Sequence, residues 1–122
     1  MSNISINPAL GSITVQVACR TPQVVSFSVT IFQSDGNTVA EYYTGNTQTT
    51  NPFQVILPQS SASYQGDYVA CTLKLFDPAG AGNPYDIEVA IIQNGTVITP
   101  ATSLQGNTVA GVNSFQALFH LQ

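Results

Sequence analysis

The sequence predicts an all-β protein, a two-layer antiparallel β-sandwich of about eight strands. The main evidence is a two-residue alternation of apolar and polar side chains, which is the period of a strand with one buried face. Turn residues separate these stretches at short intervals, and no window shows the 3.6-residue apolar period of a helix. The alternation predicts strands near 11–19, 24–33, 38–44, 53–57, 66–76, 85–93, 96–99 and 112–121.

Apolar side chains at every second position predict the inward faces of five strands. Asp35-Gly36 and Asn94-Gly95 lie between alternating stretches, and both dipeptides favour the positive φ angles of tight hairpins. Two β-hairpins are therefore expected. The predicted inward residues are Ile13, Val15, Val17 and Cys19; Phe27, Val29 and Ile31; Val69, Cys71, Leu73 and Leu75; Ile87, Val89 and Ile91; and Phe115, Ala117, Phe119 and Leu121.

The chain also resembles itself, which predicts an internal duplication with pseudo-two-fold symmetry. Repeat one is expected at about 11–58 and repeat two at about 63–121, within a single domain over 1–122. Neither half can cover its own apolar face, so the halves are expected to pack on each other. Chance similarity between Thr-, Asn- and Val-rich hairpins is the alternative. The recurring segments are Val17-Ala18-Cys19 with Val69-Ala70-Cys71, Val29-x-Ile31-x-Gln33 with Val89-x-Ile91-x-Gln93, Gly45-Asn46-Thr47 with Gly106-Asn107-Thr108, and Asn51-Pro52-Phe53-Gln54 with Asn113-Ser114-Phe115-Gln116.

The type of sandwich stays open between an immunoglobulin-like and a jelly-roll-like arrangement. Cys19 and Cys71 are spaced compatibly with the bridge between the sheets of an immunoglobulin-like domain. However, the chain has no Trp, and Tyr68 precedes Cys71 by one position too many for the tyrosine corner of that fold. The sequence therefore identifies no family, and the cysteines fit a disulfide or two buried thiols equally well.

Composition excludes several classes of function. Charged residues make up 7% of the chain and only Arg20 and Lys74 are basic, so the surface that nucleic acids require is lacking. No long apolar run is present, and membrane insertion is not expected. The first residues contain neither a basic nor an apolar signal region, so no signal peptide is expected in this chain. The neutral polar composition favours an extracellular or particle-associated setting.

Candidate catalytic residues are scarce, and no enzymatic activity is expected. His120 is the only histidine, and strand parity places it exposed on the outer face. The alternation predicts that both cysteines are buried strand residues and not activated thiols. The only candidate metal ligands are Asp77, Asn83, Asp86 and Glu88, which surround a Gly-rich loop and offer the oxygen atoms that Ca²⁺ favours. Their spacing matches no calcium motif, and a solvated acidic loop explains them as well.

A neutral polar stretch that follows two tyrosines predicts a binding function, with carbohydrate as the expected ligand. Sugars hydrogen-bond through hydroxyls and stack their apolar faces on aromatic rings. Because neighbours on a strand point to opposite faces, one of the two tyrosines must face outward. Repeat two lacks a matching tyrosine pair, so one site is expected. The predicted ligand-binding residues are Tyr42, Tyr43, Asn46, Thr47, Gln48 and Asn51.

The alternative function is that of a structural subunit in a filament, capsid, tail or other assembly. Low charge permits repeated contacts between copies without like-charge repulsion, and the edges of a sandwich invite strand addition. The expected partners are therefore a glycan or other copies of the chain in a homo-oligomer.

Overall fold

The computed structural model describes residues 2–98, 102–110 and 113–122. These residues form two five-stranded sheets and one turn of 3₁₀-helix. No helix in these ranges is long and apolar enough to cross a membrane. The elements are β1 (Ser2–Ile4), β2 (Ile13–Cys19), β3 (Val24–Phe32), β4 (Val39–Asn46), β5 (Phe53–Ile56), the 3₁₀ turn (Ser61–Tyr64), β6 (Tyr68–Phe76), β7 (Pro84–Gln93), β8 (Thr96–Val97), β9 (Thr102–Asn107) and β10 (Asn113–Leu121).

The strands are shared between two sheets that enclose a single apolar core. Sheet 1 has the order β1-β10-β6-β3-β4, and sheet 2 has the order β5-β2-β7 with both β8 and β9 paired to β7. All described pairs are antiparallel except β1, which runs parallel to β10. Buried side chains from both sheets form one cluster. The predicted all-β class is confirmed, and the two facing sheets are consistent with a sandwich.

The core follows the alternation predicted from the sequence. Every predicted inward residue of β2, β3, β6 and β7 is buried. In β10, Ala117, Phe119 and Leu121 are buried, whereas Phe115 is half-buried beside Tyr85. Such burial is the main source of the free energy that stabilises a small domain.

Cys19 and Cys71 are both buried free thiols in the structure. Burial raises the pKa of the Cys71 thiol to about 12, because a thiolate would lose its hydration there. The sequence allowed either a disulfide or two buried thiols, and the structure has two buried thiols. Both side chains act as small core residues.

Both predicted hairpins are confirmed. Gly36 has a φ of 71° in the turn between β3 and β4, and Asn94 and Gly95 have φ values of 51° and 74° between β7 and β8. In the second turn, positive φ at both Asn94 and Gly95 matches the twist of a tight hairpin, whereas in the first turn Gly36 has a positive φ and Asp35 does not. The sequence did not predict β1 or β9, and residues 99 and 112 of the predicted strands lie outside the described ranges.

The two halves of the chain have the same order of strands. When β2, β3, β4 and β5 are matched with β6, β7, β9 and β10, the order β10-β6-β3-β4 of sheet 1 becomes β5-β2-β7-β9 of sheet 2. Cys19 and Cys71 occupy matching strands, and each lies opposite a strand of the other half, at Ile87 and Val29. Strands β1 and β8 have no counterpart in this matching.

Candidate functional site

Three of the predicted ligand-binding side chains already bind backbone groups of the protein, either within their own loop or on the neighbouring strands β3 and β2. Asn46 Oδ1 accepts hydrogen bonds from the N–H groups of Gln48 and Thr49, each at 3.1 Å. Thr47 is buried, and its hydroxyl accepts the N–H of a β3 residue. Asn51 accepts the N–H of Cys19 at 3.1 Å and donates to its carbonyl oxygen at 2.6 Å. Asn46, Thr47 and Asn51 therefore stabilise the loop, while the Gln48 side chain is exposed.

The two adjacent tyrosines point to opposite faces, and Tyr42 is the outward one. Its side chain is 61% exposed. Tyr43 packs against the core, and its hydroxyl donates a hydrogen bond of 2.5 Å to Glu41. Burial, followed by this bond to a carboxylate, raises the pKa of Tyr43 to about 12. Of these two tyrosines, only Tyr42 has a ring that a ligand could reach.

Tyr42 lines a groove of about 310 Å³ on the outer face of sheet 1. The groove crosses β4, β3 and β6, and its volume lies at the lower end of the range for small-ligand sites. Its polar lining consists mostly of hydroxyl-bearing side chains. The lining residues are Ser26, Phe27, Ser28, Tyr42, Thr44, Gly45, Thr72 and Lys74.

Strand register brings the hydroxyls of this groove together. Ser28 lies opposite Thr44 on one side and Thr72 on the other, and Ser26 lies opposite Lys74. Because residues directly opposite each other in a sheet point to the same face, these side chains form short rows across three strands. Sequence reasoning missed this surface. The sequence feature that could have indicated it is the polar residue at every second position of β3 and β6, since these residues share the outer face of one sheet.

The hydroxyls of the groove are available to a ligand. Among the described residues, none forms a hydrogen bond with the side chain of Ser28, Thr44 or Thr72. Lys74 likewise has no salt bridge within those residues, whereas Arg20, the other basic residue, pairs with Asp86 and Glu88. The groove thus combines the exposed Tyr42 ring, three hydroxyls without a hydrogen-bond partner among the described residues, and the Lys74 ammonium group.

The four candidate metal ligands form two separate pairs. In the loop, Asp77 accepts hydrogen bonds from Thr108 at 2.8 Å and Asn83 at 3.0 Å, and the Thr108 bond is the main cause of a lowered Asp77 pKa. On β7, Asp86 and Glu88 both face Arg20. Within the described ranges, no group of three His, Cys, Asp or Glu side chains is placed to hold a metal.

His120 lies on the outer face of sheet 1, as predicted, but is half-buried and not exposed. Its ring stacks on Tyr68 at a centroid distance of 4.2 Å and an interplanar angle of 8°. The contact arises because Tyr68 and His120 are directly opposite in the β6–β10 ladder. Cross-strand aromatic pairing explains this histidine without a catalytic role.

A polar pocket of about 300 Å³ at the end of the sandwich contains Glu41 and Asp67. Tyr43 and the buried Tyr64 both donate their hydroxyls to Glu41, the latter at 2.7 Å. Burial, and then the Glu41 charge, raises the pKa of Asp67 above its usual range. The pocket thus contains the Glu41 carboxylate, which two tyrosine hydroxyls bind, and the Asp67 carboxylate, whose charged form is destabilised.

Comparison of the chain with models of protein families, with curated proteins and with solved structures finds no match. The chemistry of the groove is therefore what bears on the function of the chain.

Proposed function

We propose that this protein is a non-enzymatic binding module that recognises carbohydrate through the groove beside Tyr42. The proposal depends on one observation, the exposed Tyr42 ring next to a row of side-chain hydroxyls with no partner among the described residues. An aromatic face stacks on the C–H side of a sugar ring. Hydroxyls that both donate and accept match the hydroxyls of the sugar.

The shape of the surface favours an extended sugar over a deeply enclosed one. The rows at Ser28 and Ser26 run across strands, so neighbouring side chains are spaced by about 5 Å. Binding in a shallow groove would leave part of each sugar ring in water, which is typical of weak, reversible recognition. We therefore expect oligosaccharides to bind more tightly than single sugars.

One such site is expected in each chain. At the matching place on sheet 2, Arg20 and Asp86 stand where sheet 1 has Thr72 and Ser28, and their charged atoms are 3.7 Å apart. An ion pair occupies the positions where the groove has free hydroxyls. The asymmetry between the sheets supports a single carbohydrate site.

Titration calorimetry against a panel of neutral and acidic oligosaccharides tests this proposal. Tyr42→Ala should weaken binding by up to about tenfold because stacking is lost, and the melting temperature should change little since the ring is exposed. Ile56→Ala is the matched control, because Ile56 is 65% exposed on β5 of the other sheet. Equal loss in both variants, or unchanged binding by Tyr42→Ala, would refute the proposed site.

The second candidate function is a structural subunit that contacts other copies of itself. It is favoured by a row of side chains across the outer face of sheet 2, in which Ile56 and Val97 are 65% and 48% exposed. The row runs from Ile56 through Thr14 and Ile92 to Val97 by direct cross-strand pairing. Sedimentation velocity distinguishes the candidates, since a subunit forms large assemblies and a simple binding module does not.

We also propose that the sandwich arose by internal duplication. The matching strand orders of the two sheets support it, and so do the recurring Gly-Asn-Thr segments, whose threonines make the same backbone contacts. Sequence similarity and structural position agree for two of the four recurring segments, those containing Cys19 and Thr47.

The other two recurring segments are displaced from their structural counterparts. Since Val29 lies opposite Cys71 and Ile87 opposite Cys19, the counterpart of Val29 is Ile87 and not Val89. Phe53 lies opposite Val17 as Phe119 lies opposite Val69, so its counterpart is Phe119 and not Phe115. The duplication that we propose therefore includes small shifts in strand register.

A further inference from the structure

Strand β4 (Val39–Asn46) forms a free edge of sheet 1. It pairs with β3 on one side, and no described strand pairs with it on the other. Its eight residues make it the longest edge strand among the described elements, since β1 has three, β5 four, β8 two and β9 six. An edge strand presents unpaired N–H and C=O groups that another strand can bind.

The hydrogen bonds to β3 identify which backbone groups of β4 face this edge. The Thr47 N–H donates to the Val25 carbonyl oxygen at 2.9 Å, which fixes the phase of the antiparallel ladder. Because the hydrogen-bonded pairs alternate along such a ladder, Tyr43 and Gly45 direct their backbone groups to β3. Tyr42 and Thr44 therefore direct theirs to the free edge.

Residues 42–46 of this edge lack the charged side chains, Pro and bulges that usually prevent strand addition. The strand contains no Lys, Arg or Pro, and Val39 and Tyr42 are 55% and 61% exposed. Its one charged residue, Glu41, is bound by the hydroxyls of Tyr43 and Tyr64. A register shift opposite Phe32 interrupts only the beginning of the strand, so residues 41–46 form a regular edge.

We propose that β4 pairs antiparallel with β4 of a second copy, so that sheet 1 continues across a two-fold axis. The regular segment is self-complementary when Tyr42 lies opposite Thr44 of the second copy, which allows four N–H···O=C bonds. Glu41 then lies opposite Gly45 of the second copy, and no like charges face each other. Isologous dimers of this kind are the commonest symmetric assemblies.

The pairing uses backbone groups of β4 and does not require bound carbohydrate, although Tyr42 and Thr44 also line the groove. A single pair of strands makes the dimer weak and concentration-dependent. Sedimentation equilibrium of the unmodified chain should show a reversible monomer–dimer equilibrium. Thr44→Pro should abolish the dimer while leaving the melting temperature nearly unchanged, because the N–H that it removes faces the free edge. A chain that stays monomeric at every concentration, or a Thr44→Pro variant that dimerises equally well, overturns the proposal.

Disulfide cross-linking tests the register. A mixture of Tyr42→Cys and Thr44→Cys proteins should cross-link several-fold faster under mild oxidation than either alone, because directly opposite Cβ atoms are about 5 Å apart and diagonal ones about 7 Å. Cys19 and Cys71 are buried and do not compete. The control is a mixture of Tyr42→Cys and Ile56→Cys, both at exposed sites. Cross-linking no faster than in this control refutes the pairing.

Discussion

Thr47 and Thr108 make the same two hydrogen bonds in opposite sheets. The Thr47 N–H donates to the Val25 carbonyl oxygen at 2.9 Å, and its hydroxyl accepts the Val25 N–H at 3.0 Å. The Thr108 N–H donates to the Asn83 carbonyl oxygen at 2.8 Å, and its hydroxyl accepts the Asn83 N–H at 3.2 Å. Each threonine thus continues a strand ladder with its side chain, at a position where it is buried.

Replacing either threonine by valine is expected to destabilise the fold. Thr47→Val leaves the Val25 N–H without its acceptor, which should cost about 1–3 kcal/mol. Thr108→Val should cost more, since the Thr108 hydroxyl also donates to Asp77. Urea denaturation at neutral pH measures both losses.

Thr44→Val is the matched control for these threonine variants. Thr44 is exposed and its hydroxyl has no partner in the described part of the chain, so the change should stay within about 0.5 kcal/mol. If Thr47→Val costs no more than Thr44→Val, the buried hydroxyl does not serve as the acceptor described.

Two glycines leave space for aromatic rings of the neighbouring strands. A Cβ at Gly45 would lie 2.8 Å from Phe27 and 2.9 Å from Phe53, whereas one at Gly106 would lie 2.8 Å from the hydroxyl oxygen of Tyr85. Gly45→Ala should therefore cost about 1–3 kcal/mol, and Gly106→Ala less, because the end of the Tyr85 side chain can move. Thermal denaturation of the two variants measures these losses. A larger loss of stability in Gly106→Ala than in Gly45→Ala would contradict the prediction.

The pair of inward-facing phenylalanines shows what sequence reasoning could and could not predict. Phe53 and Phe115 both face the core. Alternation correctly predicted this for Phe115, because the face of a side chain depends only on its own strand. Both residues are nevertheless half-buried. How far a side chain is covered depends on which strand lies beside it, and local periodicity contains no such information.

The candidate site in the structure differs from the predicted one for a related reason. Asn46, Thr47 and Asn51 have side chains of the kinds that bind sugars, but Asn46 binds the backbone of its own loop. Thr47 and Asn51 attach that loop to β3 and β2. The groove instead joins Ser28, Thr44 and Thr72, which are distant in sequence. Only the pairing of β3 with β4 and β6 brings them together, and pairing partners cannot be read from composition.

The raised pKa of Asp67 predicts a pH-dependent effect on stability. A carboxyl whose folded pKa is raised contributes stability that is fully present below its unfolded pKa of about 3.9 and is lost as pH rises through the folded value. Asp67→Asn should therefore stabilise the protein at pH 7, by less than about 1 kcal/mol because the charge is partly hydrated.

Melting temperatures of the parent and Asp67→Asn proteins across this pH range provide the measurement. The advantage of the variant should shrink as pH falls towards 3.9. An advantage that grows in acid, or a variant that is less stable at pH 7, would show that the Asp67 carboxylate is favourably bound in the fold.

Lys74 is expected to add preference for an acidic sugar. Lys74→Gln should weaken binding of a carboxylated oligosaccharide by about 0.5–1 kcal/mol at low salt and leave its neutral counterpart unaffected. Calorimetry with the two ligands at low and high ionic strength checks this. Equal weakening for both ligands would mean that Lys74 acts through packing and not through its charge.

Chemical-shift mapping of the labelled protein against the oligosaccharide panel tests the central claim, carbohydrate recognition by the groove, most directly. We predict concentration-dependent shifts that cluster at the groove residues and leave the outer face of sheet 2 unchanged. No shift with any sugar, or shifts centred on the Ile56 to Val97 row, would contradict the account. The residues expected to respond are Ser26, Ser28, Tyr42, Thr44, Thr72 and Lys74.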